Sequence, residues 1–225
     1  GKDIVVAVVD TGCFAHPDFG SRVIRFYDAV NKHETTTFSD DTGHGTMVAG
    51  LIASDGSTSG VVGIAPAAKI IVVKVSDQGN FLSRNVRRGL NWLFKICPEK
   101  PDVVNMSFSF SPGGNSDALA TLFAEAAANN IAMVAAGQDD DRLASPANIF
   151  YPANVKEVTA VGAIQKSAAQ NVKPASTIRY MVPRSEKYLS IKQPGTTDTE
   201  QGSSFASAVA SGALVLTKKQ MRSTN

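Results

Sequence analysis

The amino-acid sequence predicts an α/β protein with a doubly wound, mostly parallel sheet flanked by helices on both faces. Short, nearly continuous apolar runs alternate with segments of helical period, a pattern typical of strands buried on both faces of a parallel sheet. The 225 residues are 43% hydrophobic and 19% charged, which is ordinary for a globular protein. A chain of this length can bury a substantial core. Because no linker or internal repeat divides it, we expect one domain over residues 1–225.

Apolar runs rich in β-branched residues predict the strands of this sheet. In chain order they are residues 4–9, 70–75, 103–106, 131–136 and 158–161. The stretch from Gln165 to Thr199 has the weakest periodicity, so it predicts loops with one strand at residues 188–191. In doubly wound sheets ligands bind beyond the carboxyl ends of the strands. The residues directly after each apolar run are therefore candidate functional residues.

Helical segments are predicted between these runs. Ser83 suits an N-cap position, and the segment after it has apolar residues at helical spacing. That stripe consists of Val86, Leu90, Leu93 and Phe94. Residues 117–129 are rich in Ala and Leu, which favour helix. Two helices rich in small residues are predicted over 47–53 and 205–216, and the alternation of strands with helices predicts the α/β class.

Charge and hydropathy exclude several kinds of partner. Lys and Arg number 22 against 20 Asp and Glu, a net charge of +2, which is too weak a bias to indicate nucleic acid or an anionic membrane. No uncharged apolar run reaches about 18 residues, so no membrane span is expected. Cys13 and Cys97 make no disulfide framework; they form one pair or, more commonly, stay free and buried. The compartment is left open.

Three reactive side chains stand at a strand end or a helix start. Asp10 closes the first strand, where a carboxylate must be solvated, paired or put to use. His44 lies between two glycines at the start of a helix, which leaves its imidazole approachable. Ser204 precedes the helix over 205–216, whose N-terminus favours an oxyanion beside it. Taken singly, each also has a purely structural interpretation as a turn aspartate, a half-buried histidine or a helix cap.

Together, an acid, an imidazole and a hydroxyl at such positions are the parts of a nucleophilic triad. Their order along the chain, Asp, His, Ser, is one of the orders in which such triads occur. The segments around them resemble the subtilase family of serine proteases, peptidase family S8. The segments that carry the resemblance are Val8-Val-Asp-Thr-Gly12, Gly43-His-Gly-Thr-Met-Val-Ala-Gly50, Gly63-Ile-Ala-Pro66, Val104-Asn-Met-Ser-Phe108, Tyr151-Pro-Ala153, Val158-Thr-Ala-Val-Gly-Ala163 and Gly202-Ser-Ser-Phe-Ala-Ser207.

This resemblance implies a subtilisin-like fold and a serine endopeptidase that works through an acyl-enzyme. It implies that Ser204 is the nucleophile, that His44 is the general base and then acid, and that Asp10 orients the imidazole. A protein or peptide substrate would bind as an extended strand between two enzyme segments. The resemblance assigns those segments and the primary specificity pocket to Gly79, Asn80, Phe81, Ser107, Phe108, Ser109, Ala135, Ala136 and Gly137. We expect a compact catalytic module, trimmed or excised from a longer protein, with a removed pro-segment or further domains as open alternatives.

The oxyanion hole departs from the family pattern. The resemblance assigns it to Ser204 and Gln138, and Gln138 stands where the family has asparagine directly after Ala-Ala-Gly. Losing such a donor outright costs about 2.7–4 kcal/mol, so reduced activity is one hypothesis, under which Gln138→Asn raises turnover. Two alternatives to an ordinary hydrolase stay open. One is a peptide-binding pseudoprotease; the other is a transpeptidase or macrocyclase that uses the same acyl-enzyme.

Two acidic features have more than one interpretation. The run 139–141, three aspartates near the expected mouth of the primary pocket, favours a basic side chain in the substrate or is simply a solvated loop. The family often binds calcium through the loop that is residues 54–60 here, with Asp18 and Asp55 as candidate carboxylate ligands. Calcium takes six to eight oxygens, and the N-terminal segment that usually contributes to the site has no counterpart here. We therefore expect no required cofactor and do not favour a strong calcium site.

Overall fold

The predicted apolar runs form the central strands. The computed structural model describes residues 1–138, 150–165, 178–184, 188–193 and 195–223. In chain order its strands are β1 (Val5–Asp10), β2 (Val23–Asp28), β3 (His33–Glu34), β4 (Lys69–Lys74), β5 (Ser76–Asp77), β6 (Asn80–Phe81), β7 (Val103–Met106), β8 (Ala132–Gln138), β9 (Val158–Gln165), β10 (Ile178–Arg184), β11 (Tyr188–Ile191) and β12 (Thr197–Glu200). All five predicted apolar runs lie in strands of one sheet. Most of their predicted ends are within one or two residues of the ends in the structure.

The four predicted helices are present with shifted ends. They are α1 (His44–Ala53), α2 (Ser83–Asn91), α3 (Ser116–Ala128) and α4 (Ser203–Ser223). The stripe predicted after Ser83 continues through a π-helical turn at Trp92–Ile96. Of the helices within the described residues, none has the length and apolar character needed to cross a bilayer.

One sheet of eight strands has the order β10-β9-β8-β7-β1-β4-β2-β3. The neighbouring strands run parallel, apart from the antiparallel pair of β2 and β3. On one side of β1 the sheet continues with β4, β2 and β3, and on the other side with β7, β8, β9 and β10. The predicted doubly wound, mostly parallel sheet is thus confirmed, and the carboxyl ends of β1, β4 and β7 meet where the order reverses.

Helices cover both faces because each buried strand presents apolar side chains to either side. In β1, Val6 and Val8 pack in a cluster with residues of α1 and α4, whereas Ala7 and Val9 pack in a second cluster with residues of α2 and α3. All four of these β1 side chains are fully buried. Cys13 and Cys97 are free, buried thiols in different clusters, which confirms the commoner of the two alternatives for them.

Besides the two-residue strands β3, β5 and β6, three longer strands are not predicted by the apolar pattern. In β2 the first three residues are only half-buried and include Arg25, which interrupts the apolar run. β10 is an edge strand that contains Pro183, a residue that strands accept chiefly at edges. β12 has the polar sequence TDTE and pairs with β11 in a separate hairpin. The prediction of loops over 165–199 with one strand is therefore wrong for β10 and β12; residues 166–177, 185–187 and 194 lie outside the described part.

Candidate active site

Asp10 ends β1 at the edge of the sheet where the strand order reverses. Its side chain is fully buried, and a carboxylate in such a place needs hydrogen-bond partners. Oδ1 accepts a hydrogen bond from the Thr11 backbone N–H at 2.7 Å and lies 2.7 Å from Nδ1 of His44. The bond to Nδ1 orients the imidazole and leaves Nε2 as its second polar atom.

Two glycines let His44 stand this close to Asp10. Gly43, which precedes α1, has a φ of 81°, in the left-handed region that favours glycine. A Cβ on Gly45 would lie 2.2 Å from the carbonyl oxygen of Gly12, so only glycine allows α1 to approach the loop after β1. The backbone beside His44 thus passes close to the loop after β1, with Gly12 as the contacted residue.

The surroundings of His44 favour its protonated form. Burial by itself lowers the pKa of the imidazole, but the charge of Asp10 and the hydrogen bond to it outweigh burial, with smaller contributions from the charges of Asp40 and Glu200. The pKa of His44 is therefore raised above its ordinary value. The ring lies near that of Phe205, with 5.4 Å between centroids, and 28% of the His44 side chain stays exposed.

Ser204 is the second residue of α4, in the first turn, where backbone N–H groups have no partner within the helix. Its hydroxyl donates a hydrogen bond to the carbonyl oxygen of Ser107 at 2.8 Å and makes none to His44. Both residues line a cleft of about 600 Å³. The structure therefore brings Asp10, His44 and Ser204 to one place, with the bond between acid and imidazole formed and the serine hydroxyl turned toward β7.

Buried hydroxyl and amide groups connect α4 to the strand beneath it. The hydroxyl of Ser107 donates to the carbonyl oxygen of Ser204 at 2.7 Å and lies 2.9 Å from the hydroxyl of Ser207. The side-chain amide of Asn105 donates to Ser107 at 2.8 Å and accepts from Ser211 at 2.9 Å. These directional bonds hold the helix that carries Ser204 in register with β7. The only signal of these hydrogen bonds in the sequence is the pair of serines, Ser207 and Ser211, spaced one helical turn apart in α4.

Asp40 is a buried hub before α1 that the sequence reasoning missed. Its carboxylate accepts hydrogen bonds from the hydroxyl of Thr11 at 2.7 Å, from the hydroxyl of Thr46 at 2.6 Å and from the backbone N–H groups of Gly43 and Thr46 at 2.9 and 2.8 Å. It thereby joins the residue after Asp10 to the helix that begins at His44. A pair of aspartates shortly before Thr-Gly-His is the only signal of this hub in the sequence.

The residues assigned to substrate binding divide into two groups. Those that line the cleft are Gly79, Phe81, Ser107, Phe108 and Ser109. Asn80 lies on β6 and is exposed, but it is outside the lining, as are Ala135, Ala136 and Gly137 of β8. Further lining residues that the sequence reasoning did not name come from the β11–β12 hairpin and its flanks, namely Lys192, Glu200 and Gln201.

The region assigned to the oxyanion hole and the pocket mouth is described only in part. Gln138 is the last residue of β8, and its backbone pairs with Gly162 of β9. Its assignment to the oxyanion hole stays a prediction. The acidic run 139–141 lies outside the described residues.

The two candidate calcium ligands are engaged by protein groups. Asp18 is fully buried, and its carboxylate accepts hydrogen bonds from the backbone N–H of Thr58 at 2.7 Å and from the hydroxyls of Ser54 and Ser59. Burial raises the pKa of Asp18, but the bonds from Ser59, Thr58 and Ser54 outweigh it and lower the pKa to about 2. Asp55 pairs with Arg22, Nη2 to Oδ2, at 3.2 Å.

Arg22 also occupies main-chain oxygens beside these carboxylates. Its guanidinium donates to the carbonyl oxygens of Asp18 and Ala53, the latter at 2.5 Å. Within the described residues, no group of three His, Cys, Asp or Glu side chains could hold a metal ion. The carboxylates of Asp18 and Asp55 and the carbonyl oxygens of Asp18 and Ala53 are thus already engaged by donors of the chain itself.

Comparison with known proteins gives consistent similarities. A profile described as "Subtilase family" matches residues 1–224. The major intracellular serine protease of Bacillus subtilis is 35% identical over 230 residues, which cover 97% of this chain and 69% of that protein. Subtilisin E of Bacillus subtilis is 32% identical over 220 residues, covering 96% of this chain and 55% of that protein. The crystal structure of a cold-adapted subtilisin-like serine proteinase superposes with a TM-score of 0.79 at 26% identity, over 97% of this chain and 76% of that one, which confirms the subtilisin-like fold.

Proposed function

Because this chain belongs to the subtilase family of serine proteases, we propose that it cleaves peptide bonds through an acyl-enzyme formed on Ser204. Its class as a subtilisin-like serine endopeptidase, and hence a hydrolase, agrees with its relatives, and its substrates are accordingly proteins or peptides. The observation that carries the finer proposal is the 2.7 Å hydrogen bond between Asp10 and His44, because His44 and Ser204 line the same cleft.

In the proposed reaction Ser204 Oγ attacks the carbonyl carbon of the substrate while Nε2 of His44 takes the hydroxyl proton. The C–N bond then breaks, and His44 returns the proton to the leaving amine. Asp10 keeps the proton of the neutral imidazole on Nδ1 and stabilises the imidazolium that forms. Water then attacks the acyl carbon while His44 takes its proton; the bond between that carbon and Ser204 Oγ breaks, and His44 gives the proton to Oγ, so that the acid is released and the serine hydroxyl is restored.

Ser204 must rotate before this reaction. Its hydroxyl is hydrogen-bonded to the carbonyl oxygen of Ser107, and in the proposed reaction a change of χ1 breaks this bond and makes Oγ available to the imidazole. Such rotation is available to a partly buried serine, and catalytic hydrogen bonds of this kind often form only in the substrate complex. The first-turn N–H of Ser204 and the carboxamide of Gln138 are the proposed donors to the oxyanion.

Water is the proposed acceptor of the acyl group. With 28% of its side chain exposed, His44 is open to solvent at the place where the acceptor must lose its proton. A transpeptidase would need elements that exclude water from this place. The exposure of His44 therefore favours hydrolysis over transfer to an amine.

Substrate is proposed to bind as an extended strand along the cleft. Gly79 and Phe81 come from the β5–β6 hairpin, which is a separate two-stranded sheet, and Ser107 to Ser109 come from the segment after β7. The rings of Phe81 and Phe108 stack with centroids 4.3 Å apart. Strand addition of this kind takes its affinity from main-chain hydrogen bonds and its specificity from side-chain pockets.

We also propose that the fold needs no calcium. Arg22 supplies the positive charge at the carbonyl oxygens of Asp18 and Ala53, and backbone N–H groups and hydroxyls of residues 54–59 satisfy the carboxylate of Asp18. The loop is thereby held to the rest of the protein by groups of the chain itself.

Labelling with a fluorophosphonate, followed by peptide mass mapping, tests the proposed nucleophile. We expect modification at Ser204, none in Ser204→Ala, and labelling slowed at least about 100-fold in His44→Ala, since general-base catalysis contributes roughly 10²–10⁴. Labelling that His44→Ala leaves unchanged would contradict the role of His44. Failure of the folded protein to label would favour the peptide-binding pseudoprotease.

A further inference from the structure

A buried ammonium group lies beside the acid of the proposed triad. Lys74 ends β4 and pairs in register with Asp10 at the end of β1. Only 5% of Lys74 is exposed, and a buried charge of this kind is stable only when it is paired and hydrogen-bonded. The proposed reaction gives Lys74 no role.

Lys74 connects two distant segments, the one after β1 and the one before α1, to the start of β5. Its Nζ donates to a carboxylate oxygen of Asp41 at 2.6 Å and to the carbonyl oxygens of Thr11 and Ser76, both at 2.9 Å. Thr11 follows Asp10, and Asp41 lies three residues before His44. Ser76 begins β5, the first strand of the hairpin that carries one side of the cleft.

Asp41 extends this connection to the tip of the hairpin. The oxygen that accepts from Lys74 also accepts the backbone N–H of Gln78 at 2.8 Å. Gln78 has a φ of 49° and Gly79 a φ of 84°, so these two residues form the tight turn between β5 and β6. The hairpin itself pairs only Ser76 with Phe81 and residue 77 with residue 80, and so short a hairpin is marginally stable alone.

We propose that the ion pair of Lys74 and Asp41 is a positioning device that holds the β5–β6 hairpin at the distance from Ser204 that an extended substrate requires. The proposal rests on the proposed function, because that hairpin is one side of the proposed substrate groove. Lys74 is hydrogen-bonded to Thr11, next to Asp10, and Asp41 is hydrogen-bonded to Gln78 at the tip of the hairpin. The ion pair therefore determines where Gly79 and Phe81 stand relative to the triad.

The test compares two substrates that differ in how much of the cleft they occupy. Asp41→Asn keeps the shape of the side chain and removes the charge that binds Lys74. For a peptide p-nitroanilide with four residues before the scissile bond we expect kcat/KM to fall about tenfold, chiefly through KM, since a hydrogen-bonded charge pair is lost. For a single-residue ester, which does not reach the hairpin, we expect a change below about twofold.

Two further variants complete the experiment, namely Lys74→Met and the double variant that combines it with Asp41→Asn. Because both residues act through one contact, their effects on the extended peptide should be far from additive. Lys95→Met, which removes the surface ion pair with Glu125, is the matched control and should leave both substrates unchanged. Equal losses on the two substrates in Asp41→Asn would overturn the proposal, because they would place the effect at the triad; no loss on either would also overturn it.

A binding measurement separates this proposal from the proposed function. In Ser204→Ala, which cannot turn over, titration calorimetry with the same extended peptide should give a Kd about tenfold weaker when Asp41→Asn is added. The Gln78 amide should also exchange its hydrogen faster in Asp41→Asn. If the protein proves unable to cleave peptides, both measurements still decide whether the ion pair holds the hairpin, and an unchanged Kd would refute it.

Discussion

At the scale of single residues, the negative charge around His44 is the main determinant of the pH range over which the proposed enzyme is active. Asp10 bonds to the imidazole, and Asp40 and Glu200 add negative charge at greater distance. Because these charges raise the pKa of His44, the imidazole stays protonated to a higher pH than an isolated one. A general base must be unprotonated, so the acidic limb of kcat/KM should lie above the ordinary titration range of histidine, about 6.5.

Glu200→Gln should move that acidic limb to lower pH. Removing a negative charge lowers the pKa of His44, so the basic form persists further into the acid range while the plateau activity changes little. The pH profile of kcat/KM on a small ester measures the shift, which should shrink in 1 M salt because surface charges are then screened within about 3 Å. Glu34→Gln, far from the cleft, should leave the profile in place. A shift to higher pH would contradict this account of the site.

At the scale of elements, the approach of α1 to the loop after β1 sets the geometry of the acid and the imidazole. The absence of a side chain at Gly45 allows that approach, since a Cβ there would meet Gly12. Asp40 holds the same two elements together through Thr11 and Thr46. A change in helix position of a few tenths of an ångström would therefore appear directly in the distance between Asp10 and His44.

Gly45→Ala should lower both stability and turnover. Overpacking of this kind costs about 1–3 kcal/mol, which corresponds to a fall in Tm of roughly 2–12 °C for a chain of this size. Thermal unfolding and kcat on a peptide substrate are the measurements. Gly114→Ala is the matched control, because a Cβ there meets nothing within 4 Å. Equal behaviour of the two variants would show that the contact with Gly12 is not limiting.

The loop from Ser54 to Ser59 should be insensitive to calcium. Because Arg22 and backbone groups satisfy the oxygens of this region, Tm should be the same in millimolar calcium and in excess EGTA. Arg22→Met should lower the free energy of unfolding by about 1–3 kcal/mol, and calcium should not restore it. Arg87→Met, on the exposed side of α2, should have no such effect. A rise of Tm with calcium in the wild-type protein would refute the proposal.

At the scale of the whole molecule, the sequence predicts the features that local pattern determines. The central strands are predicted because burial on both faces requires continuous apolar runs, and Asp10, His44 and Ser204 are found because they stand directly at ends of elements. Asp40 escapes prediction because its contact with Thr11 forms only when α1 packs against the end of β1. The sequence signal for Lys74 is a lysine inside the apolar run of β4, but two of its acceptors, Thr11 and Asp41, come from distant segments.

The hydrogen bonds of the serine and asparagine side chains between β7 and α4 have a consequence for how catalysis by Ser204 would be lost. An interface of apolar side chains alone can slide by small steps at little cost, since such contacts have no preferred direction. Here Ser107, Ser207 and Ser211 meet their partners at hydrogen-bond distance, and displacing the helix by one residue would break all of these bonds together. The helix that carries Ser204 is thus held in one position by hydrogen bonds that break together, so damage to this interface should inactivate a fraction of the molecules rather than slow every molecule a little.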